Sequence, residues 1–542
     1  MKVVTAEEMQ TIDSVSINQT GIPGEVLMGY AGKAIADHIL LELEEVKRVA
    51  VLSGTGNNGG DGMVIAYFLS RESIDVTLYV TGSEDRISAT SAIYYNVCKN
   101  AGITIVHLDD SSDLDKSGID KNELCVDAML GTGFKGEPRG VIGRLIEYIN
   151  DIEIVVLSVD MPSGLPSNGD GPQGAAILAD MTVTIALPKI SLVTWPGLNY
   201  AGRVYLVDIG FPTELLQSDD IRCELIDKDY MRTHFYLPVD PDMHKGQRGH
   251  LLIAAGFDGM EGAAILTSMA AFEMGLGLGS LVTTGKSRNI IAGTVPELIT
   301  HDFHSDVFTD AIQVPVNDVS DIEKNSKDLE TLYTEMDIII QRILSGRTYD
   351  AIVLGPGLGR SLLSHAFFVS MLKALHESDM RKLVIDGDGL YHLAMSNHLV
   401  KKYILPSWVI TPHFKEASRL TGVDVETLKK NRVQAAQKLA QKTGMVALLK
   451  GPATVISDGK GSLINTTGNE ALATAGSGDV LTGIIGSLLS QGHGPLSATA
   501  AGTYIHGAAA DIYVDAHNAQ IMKARDVVDN IRNVLDTMFT IE

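Results

Sequence analysis

Near its C-terminus the chain reads Thr474-Ala475-Gly476-Ser477-Gly478-Asp479-Val480-Leu481-Thr482-Gly483. Two glycines flank a serine, an aspartate follows, and an apolar run with helical spacing begins at once (Val480, Leu481, Ile484, Ile485, Leu488, Leu489). Such a loop brings bare backbone N–H groups to a helix N-terminus, where exposed donors and the helix dipole favour an anion. The aspartate in the first turn can act as a base toward a hydroxyl held beside a phosphate. Ser and Asp also cap helices for purely structural reasons, so the rest of the chain must decide between the two readings.

A second constellation lies near the other end. Asn57-Asn58-Gly59-Gly60-Asp61-Gly62 combines paired amides, glycine backbone and a carboxylate, a dense mix of donors and oxygen ligands. Asp127 and Asp160 each close an apolar run, in Val126-Asp127-Ala128 and Val159-Asp160-Met161-Pro162-Ser163-Gly164. In a parallel sheet the strand C-terminal ends converge on the ligand crevice. Oxygens of Asn58, Asp127 and Ser163 could therefore meet around one hard cation, although each residue alone is an ordinary cap or turn former. Gly54 to Gly59 and Gly131 to Gly136 both match the dinucleotide GxGxxG pattern. Two hits in one domain, and no acidic residue directly after Val80, argue against an ordinary nicotinamide dehydrogenase. Gly285-Lys286-Ser287 suggests a P-loop, but Ser280 stands where its first glycine should be.

The elements that must carry these residues follow from apolar runs and turn signals. Helical spacing covers 6–18 and 25–45; strands are predicted at 48–52, 76–80, 124–128, 154–159, 181–186 and 204–207, with a helix from Met63. A boundary is expected between Gly210 and Met243, punctuated by Pro212, Pro238 and Pro241. A second series runs through 251–255, 351–354, 383–385, 409–410, 446–449 and 454–456, while 301–348 is polar and reads as helix and loop. Strands alternating with helical segments imply α/β architecture with parallel sheets. At 542 residues the chain exceeds one ordinary core. Its 45% hydrophobic content marks a globular protein, and a net charge of −24 argues against nonspecific nucleic-acid binding. Three cysteines without CxxC spacing make neither a disulfide scaffold nor a zinc site. The first residues lack a signal-peptide core, and the long apolar stretch from Ala263 to Val282 carries Glu273 and several glycines, so a core helix is expected there. A cytoplasmic, membrane-free protein is the expectation.

On these motifs the N-terminal half resembles the NAD(P)H-hydrate epimerase domain, over residues 1–220, with a Rossmann-like sandwich implied. The resemblance rests on Asn57 to Gly62, Val126 to Gly133 and Asp160 to Gly164. It implies potassium held by Asn58, Asp127 and Ser163. It also implies a hydrated nucleotide lined by Asn57, Asn58, Gly59, Gly60, Asp61, Gly131, Thr132, Gly133, Phe134, Lys135, Gly136, Glu137 and Asp160. The family's usual Met-Glu-Asn-Ala-Gly is Met28-Gly29-Tyr30-Ala31-Gly32 here. Residues 225–542 resemble the ribokinase-like ADP/ATP-dependent NAD(P)H-hydrate dehydratases. The matching pieces are His244-Lys245-Gly246, Gly355 to Arg360, Asp386 to Leu390, Thr411 to Glu416, Lys450 to Thr454 and the opening Gly476 to Asp479. The resemblance implies adenine-nucleotide binding by Lys450, Gly451, Pro452, Ala453, Thr454 and Gly478, and hydrate contacts by Ala263, Gly357, His413 and Asp479. Asn469-Glu470-Ala471 replaces the family's frequent Asn-Pro-Gly.

The implied chemistry is repair of hydrated NADH or NADPH. Asp479 would take the proton of the substrate hydroxyl during phosphoryl transfer, magnesium would accompany ADP or ATP, and Glu416 is a further candidate to orient that ion. Asp160 is the leading acid/base candidate for epimerisation, followed by Lys189 in Leu187-Pro188-Lys189. The partners implied are small molecules, the hydrates and an adenine nucleotide, with a homo-oligomer expected. Two readings compete: a ribokinase-class kinase fused to a non-catalytic nucleotide-binding domain, and a first half that binds potassium and nucleotide without turnover.

Overall fold

The computed structural model describes residues 1–237, 241–303, 314–378, 380–396 and 400–539. Contacts divide the chain into two units, Lys2–Cys223 and Glu224–Glu542. Pro238 of the expected boundary and residues 304–313 of the expected helix-and-loop stretch lie outside the described residues.

The first unit holds a seven-stranded sheet in the order Thr104–Leu108, Asp75–Thr81, Arg48–Ser53, Leu124–Ala128, Val155–Val159, Met181–Ile185, Arg203–Val207, all pairs parallel. Its strands read as near-continuous apolar runs because both faces are covered. Val49, Val51, Val126 and Val159 pack on one side; Ala50, Leu52, Cys125 and Val156 pack on the other. The strand 104–108 escaped the sequence reading because it is an edge strand whose inner residues are only partly buried, so no apolar run marks it.

One boundary differs in a way that matters. The helix expected from Met63 starts at Asn57 and runs Asn57–Arg71. Glycine is a poor helix former, so the Gly-rich stretch looks like loop. Tertiary packing reverses this: a Cβ on Gly59 would lie 1.9 Å from the Gly54 carbonyl oxygen, so only glycine lets the helix begin directly against the strand end. Asn57, Asn58 and Asp61 are thereby fixed on the first helical turns.

In the second unit the sheet runs Cys223–Ile226, Ser462–Asn465, Val455–Ser457, Val446–Leu449, Val409–Ile410, Leu383–Ile385, Ala351–Leu354, His250–Ala254, Leu278–Thr284, Leu298–Phe303. From Val446–Leu449 to Leu298–Phe303 neighbours are parallel; Val446–Leu449, Val455–Ser457 and Ser462–Asn465 form an antiparallel meander. The sheet is thus mixed. The long apolar stretch expected as one helix is a helix, Glu261–Glu273, then a strand, Leu278–Thr284, separated at Gly275 with φ +83°. The expected helix-and-loop stretch carries strand Leu298–Phe303 into its start and helices Val319–Lys324 and Ser326–Ser345 beyond. Helix Ser477–Ser490 packs tightly on Glu261–Glu273: a Cβ on Gly483 would meet the Thr267 carbonyl oxygen at 2.1 Å. Among the described residues no helix is long and apolar enough to cross a membrane.

Candidate functional site

Each unit carries its own cleft at strand C-terminal ends. In the first unit a cleft of about 590 Å³ is lined by Asn57, Asn58, Asp61, Gly131, Thr132, Gly133, Phe134, Asp160 and Lys189 among the residues singled out from sequence. Gly59 and Gly60 are buried behind them in the helix. Lys135, Gly136 and Glu137 do not line it; Lys135 is exposed and pairs with Glu7 at 3.5 Å. The structure adds Met9, Gln10 and Asp13, which share one face of helix Ala6–Val15. Only Met9-to-Asp13 spacing hinted at that face, and it resembles any core-facing stripe.

Asp160 follows its strand with φ +63°, which turns its carboxylate back toward the next strand. Its Oδ1 accepts from Thr184 Oγ1 at 3.1 Å and from the Ile185 amide at 3.0 Å, and pairs with the fully buried Lys189 ammonium. Lys189 Nζ also donates to Thr184 Oγ1 and the Ile185 carbonyl, each at 3.1 Å. Asp61 is 9% exposed. Burial, then the charges of Asp160 and Asp13, hold its carboxyl well above the usual carboxylate range against the pull of Lys189. Partial burial and the Asp160 charge push Asp13 up to about 6, a rise tempered by its remaining exposure to water.

Asp127 and Ser163 meet in the interior. Asp127 accepts from Ser158 Oγ and the Ser163 amide, each at 2.8 Å, from Ser163 Oγ and from the Met129 amide at 3.3 Å. Burial raises its carboxyl despite these donors. Ser163 Oγ accepts from the Leu130 amide at 2.9 Å, which ties the loop after Asp127 to the loop after Asp160. Asn58 Nδ2 is buried without a partner among the described residues. Amide oxygen, carboxylate and hydroxyl are hard donors that suit an alkali or alkaline-earth cation. The departure at Gly29 has a steric reason: a Cβ there would sit 2.5 Å from the Tyr94 hydroxyl, which donates to the Glu25 carbonyl at 3.0 Å. Tyr30 is 59% exposed.

In the second unit a cleft of about 390 Å³ is lined by Gly259, Met260, Gly262, Ala263, Gly357, Arg360, Gly387, Asp388, Glu416 and Asp479. Ala263, Gly357, Asp479 and Glu416 were expected there; Met260, Arg360 and Asp388 were not given roles. Arg360 Nε donates to Asp388 Oδ1 at 3.0 Å and its guanidinium lies 4.4 Å from the Tyr391 ring centroid. His413 does not line the cleft. Its Nδ1 accepts from the Lys415 and Glu416 amides and its own amide donates to Glu416 Oε2, so it caps helix Phe414–Thr421 and aims Glu416.

Gly476, at φ +88°, precedes helix Ser477–Ser490. The first amides of a helix have no intrahelical acceptor, so those of Gly478 and Asp479 face outward at the helix start. A Cβ on Gly478 would lie 3.1 Å from Lys450 Nζ. Lys450 pairs with the buried Asp386 at 2.7 Å, and Thr482 Oγ1 donates to the other Asp386 oxygen at 2.7 Å. Burial would raise Asp386, but Lys450 and its hydroxyl donors outweigh it and keep the carboxylate ionised below the usual range. Burial would lower Lys450, but Asp386 and Glu416 hold it charged. Asp479 has no such donor set: burial first, then Asp386, push it up to about 7. It is therefore a base poised near neutrality beside free amides and a fixed ammonium. Gly451, Pro452, Ala453 and Thr454 form the turn after strand Val446–Leu449, with Thr454 Oγ1 donating to the Gly451 carbonyl at 2.8 Å and buried Arg432 donating to the Pro452 carbonyl at 2.7 Å. His506 supports the anion loop from behind, with Nε2 3.0 Å from the Ser477 carbonyl. Burial pushes it down to about 4, so it is neutral. Nothing in its alanine-rich helix signalled that role. At the replaced Asn-Pro-Gly, the Asn469 side chain accepts from the Ala471 amide at 3.0 Å and donates to Asp511 at 2.8 Å, which preserves a turn without proline.

Comparison with known proteins places this geometry. A family profile described as NAD(P)H-hydrate dehydratase matches residues 251–533, and one described as YjeF-related protein N-terminus matches residues 24–191. The bifunctional NAD(P)H-hydrate repair enzyme Nnr of Moorella thermoacetica is 32% identical over 542 residues, spanning 99% of this chain and 97% of that protein. The Escherichia coli enzyme of the same name is 30% identical, over 99% of this chain and 94% of its own. Among solved structures, the ADP/ATP-dependent NAD(P)H-hydrate dehydratase of Bacillus subtilis co-crystallised with ATP/Mg2+ is 27% identical over 58% of this chain and 98% of that one, with a TM-score of 0.45. Both clefts thus fall within one similarity that runs the length of the chain, and the chain belongs to the family of bifunctional NAD(P)H-hydrate repair enzymes.

Proposed function

We propose that this protein repairs hydrated NADH and NADPH in two steps: residues 1–220 interconvert the R and S hydrates, and residues 225–542 dehydrate the S hydrate using ADP or ATP. The observation that carries the reading is Asp479, a half-buried base at an open helix N-terminus, backed by the Lys450–Asp386 pair. The substrate hydroxyl sits on the carbon next to the ring nitrogen. Asp479 takes its proton while the oxygen bonds to the terminal phosphorus of the nucleotide and the bridging P–O bond breaks. Free amides at Gly478 and Asp479 stabilise charge on the moving group, about 10²–10³-fold per donor by analogy with an oxyanion hole. Phosphate then departs with the C–O bonding pair as the ring nitrogen's lone pair forms C=N. Loss of a proton from the neighbouring carbon restores the dihydronicotinamide.

Magnesium, when bound, would neutralise the nucleotide phosphates; Glu416, which lines the cleft, is the carboxylate that would orient it. Asn58, Asp127 and Ser163 would hold potassium. Buried thiols at Cys98 and Cys125 fit a cytoplasmic setting, and light scattering of the purified protein checks the homo-oligomeric part of the reading.

The decisive assay supplies mixed R and S hydrates of NADH with magnesium, potassium and ADP or ATP, and follows dihydronicotinamide absorbance and phosphate release. Complete nucleotide-dependent recovery is expected. A stable phosphoester with no phosphate released would instead mark a ribokinase-class kinase. Recovery of the S half alone would reduce the N-terminal domain to binding.

A further inference from the structure

We propose that Asp61 and Asp160 form the acid/base pair of the epimerase, with Asp61 giving a proton to the departing hydroxyl and Asp160 taking one from the water that replaces it. The inference rests on the epimerase reading of the N-terminal domain. Both carboxyls line the same cleft, yet the protein treats them in opposite ways. Asp160 accepts three hydrogen bonds on one oxygen, from Lys189, Thr184 and the Ile185 amide. Such a donor set fixes the carboxylate in place at the cleft wall. Asp61 is almost fully buried on helix Asn57–Arg71, and among the described residues its carboxyl has neither a hydrogen-bond nor an ion-pair partner. An unpaired buried carboxylate is costly, so this group stays protonated and keeps a proton to give.

The groups whose charges reach Asp61 are Asp160, Asp13 and Lys189, and Tyr94 faces it from the helix Ala89–Asn100. Lys189 is engaged by Asp160, Thr184 and the Ile185 carbonyl, so it neutralises one carboxylate and no second one. Lys189 is therefore a positioning residue for Asp160. Two carboxyls in one cleft, one held by three donors and the other without a partner, suit different roles as acid and base. Asp61 lies on the helix that follows strand Arg48–Ser53, Asp160 directly follows strand Val155–Val159, strand Leu124–Ala128 lies between these two in the sheet, and both carboxyls line one cleft of about 590 Å³.

The step balances as follows. Asp61 protonates the hydroxyl, the C–O bond breaks with its electron pair leaving as water, and the ring nitrogen's lone pair forms C=N. Water adds to the opposite face of that carbon, its oxygen forming the new C–O bond, and Asp160 takes the released proton. Inversion in the other direction uses the two residues with roles exchanged, and the carboxyls return to their resting states through solvent.

The test uses the full-length protein, potassium and pure R hydrate of NADH, without adenine nucleotide, so that only inversion is read. Asp61→Asn should invert at least about 10²-fold more slowly than wild type and still dehydrate the S hydrate when ADP is added. Wild-type kcat/KM should fall at alkaline pH as Asp61 ionises, and that limb should vanish in Asp61→Asn. In water enriched in oxygen-18, wild type should place the label in the inverted hydroxyl above the spontaneous rate; this readout needs no variant. Inversion by Asp61→Asn within threefold of wild type, an unchanged alkaline limb, or inversion without label would overturn the pair. A wild-type protein that does not invert the R hydrate at all would fail the epimerase reading itself, and the pair with it.

Discussion

Asp479 illustrates how a single carboxyl is tuned by what it lacks. Asp386 lies nearby with Lys450 and Thr482 on its oxygens and stays ionised, whereas Asp479 has burial and a neighbouring negative charge and rises from an ordinary 3.8 to about 7. Dehydration measured as kcat/KM should therefore climb with pH through about 7, and Asp479→Asn should abolish it by about 10²–10⁴-fold while sparing epimerisation. The sign for stability is the reverse of a salt-bridged aspartate. The folded value exceeds the unfolded one, so ionisation opposes folding. Asp479→Asn should match wild type near pH 3 and gain on it as pH rises toward 7. The upper bound is about 4 kcal/mol, reduced by the water that reaches a half-buried side chain. Urea denaturation at pH 4 and pH 8 checks this. Asp160→Ala should stop inversion of the R hydrate and leave the Lys189 ammonium buried without its carboxylate. A loss of about 3–5 kcal/mol is expected, read as a lower melting temperature of the N-terminal unit. Unchanged inversion in that variant would remove Asp160 from the mechanism.

At the scale of the element, both sites depend on a glycine that sets where a helix begins. Gly59 against Gly54 sets one start, and Gly476 at φ +88° sets the other. Gly476→Ala would force a left-handed alanine whose Cβ lies 2.4 Å from Leu266 Cδ1. About 1–2 kcal/mol of stability should be lost, and nucleotide KM should rise as the amides of Gly478 and Asp479 move. Nucleotide titrations and thermal melts of the variant read the two effects separately. Most of the central strands and the helix Ser477–Ser490 were legible as apolar runs, because both faces of each sheet are covered. The helix start at Asn57 was not legible, because local propensity opposes helix at Gly59-Gly60 and only the contact with Gly54 overrides it.

For the whole molecule, the consequence of two complete clefts is two separable activities. Asp160→Ala and Asp479→Asn are each expected to stall on mixed hydrates, the first on the R form and the second on both. Mixed together in one tube they should recover the full dihydronicotinamide absorbance, since the hydrate released by one protein is a substrate for the other. Failure of the mixture beside an active wild type would mean that the hydrate is not released between steps.

The residue types and their spacing were enough to determine the α/β class and to pick out the motifs that the two clefts draw on. Those features are written locally, in apolar runs, turn glycines and contiguous polar residues. Protonation states and partners were decided only by the fold. Asp61 and Asp160 look alike in sequence, but Lys189, Thr184 and Ile185 converge on one and not the other. His413 emerged as a helix cap, Arg360 and Asp388 came to the cleft from motifs that had given them no role, and Asp13 and His506 came from elements that carry no signal of their own. The reason is physical. Burial and the charge of residues far apart in the chain set a carboxyl's proton affinity, and neither exists until the strands have paired.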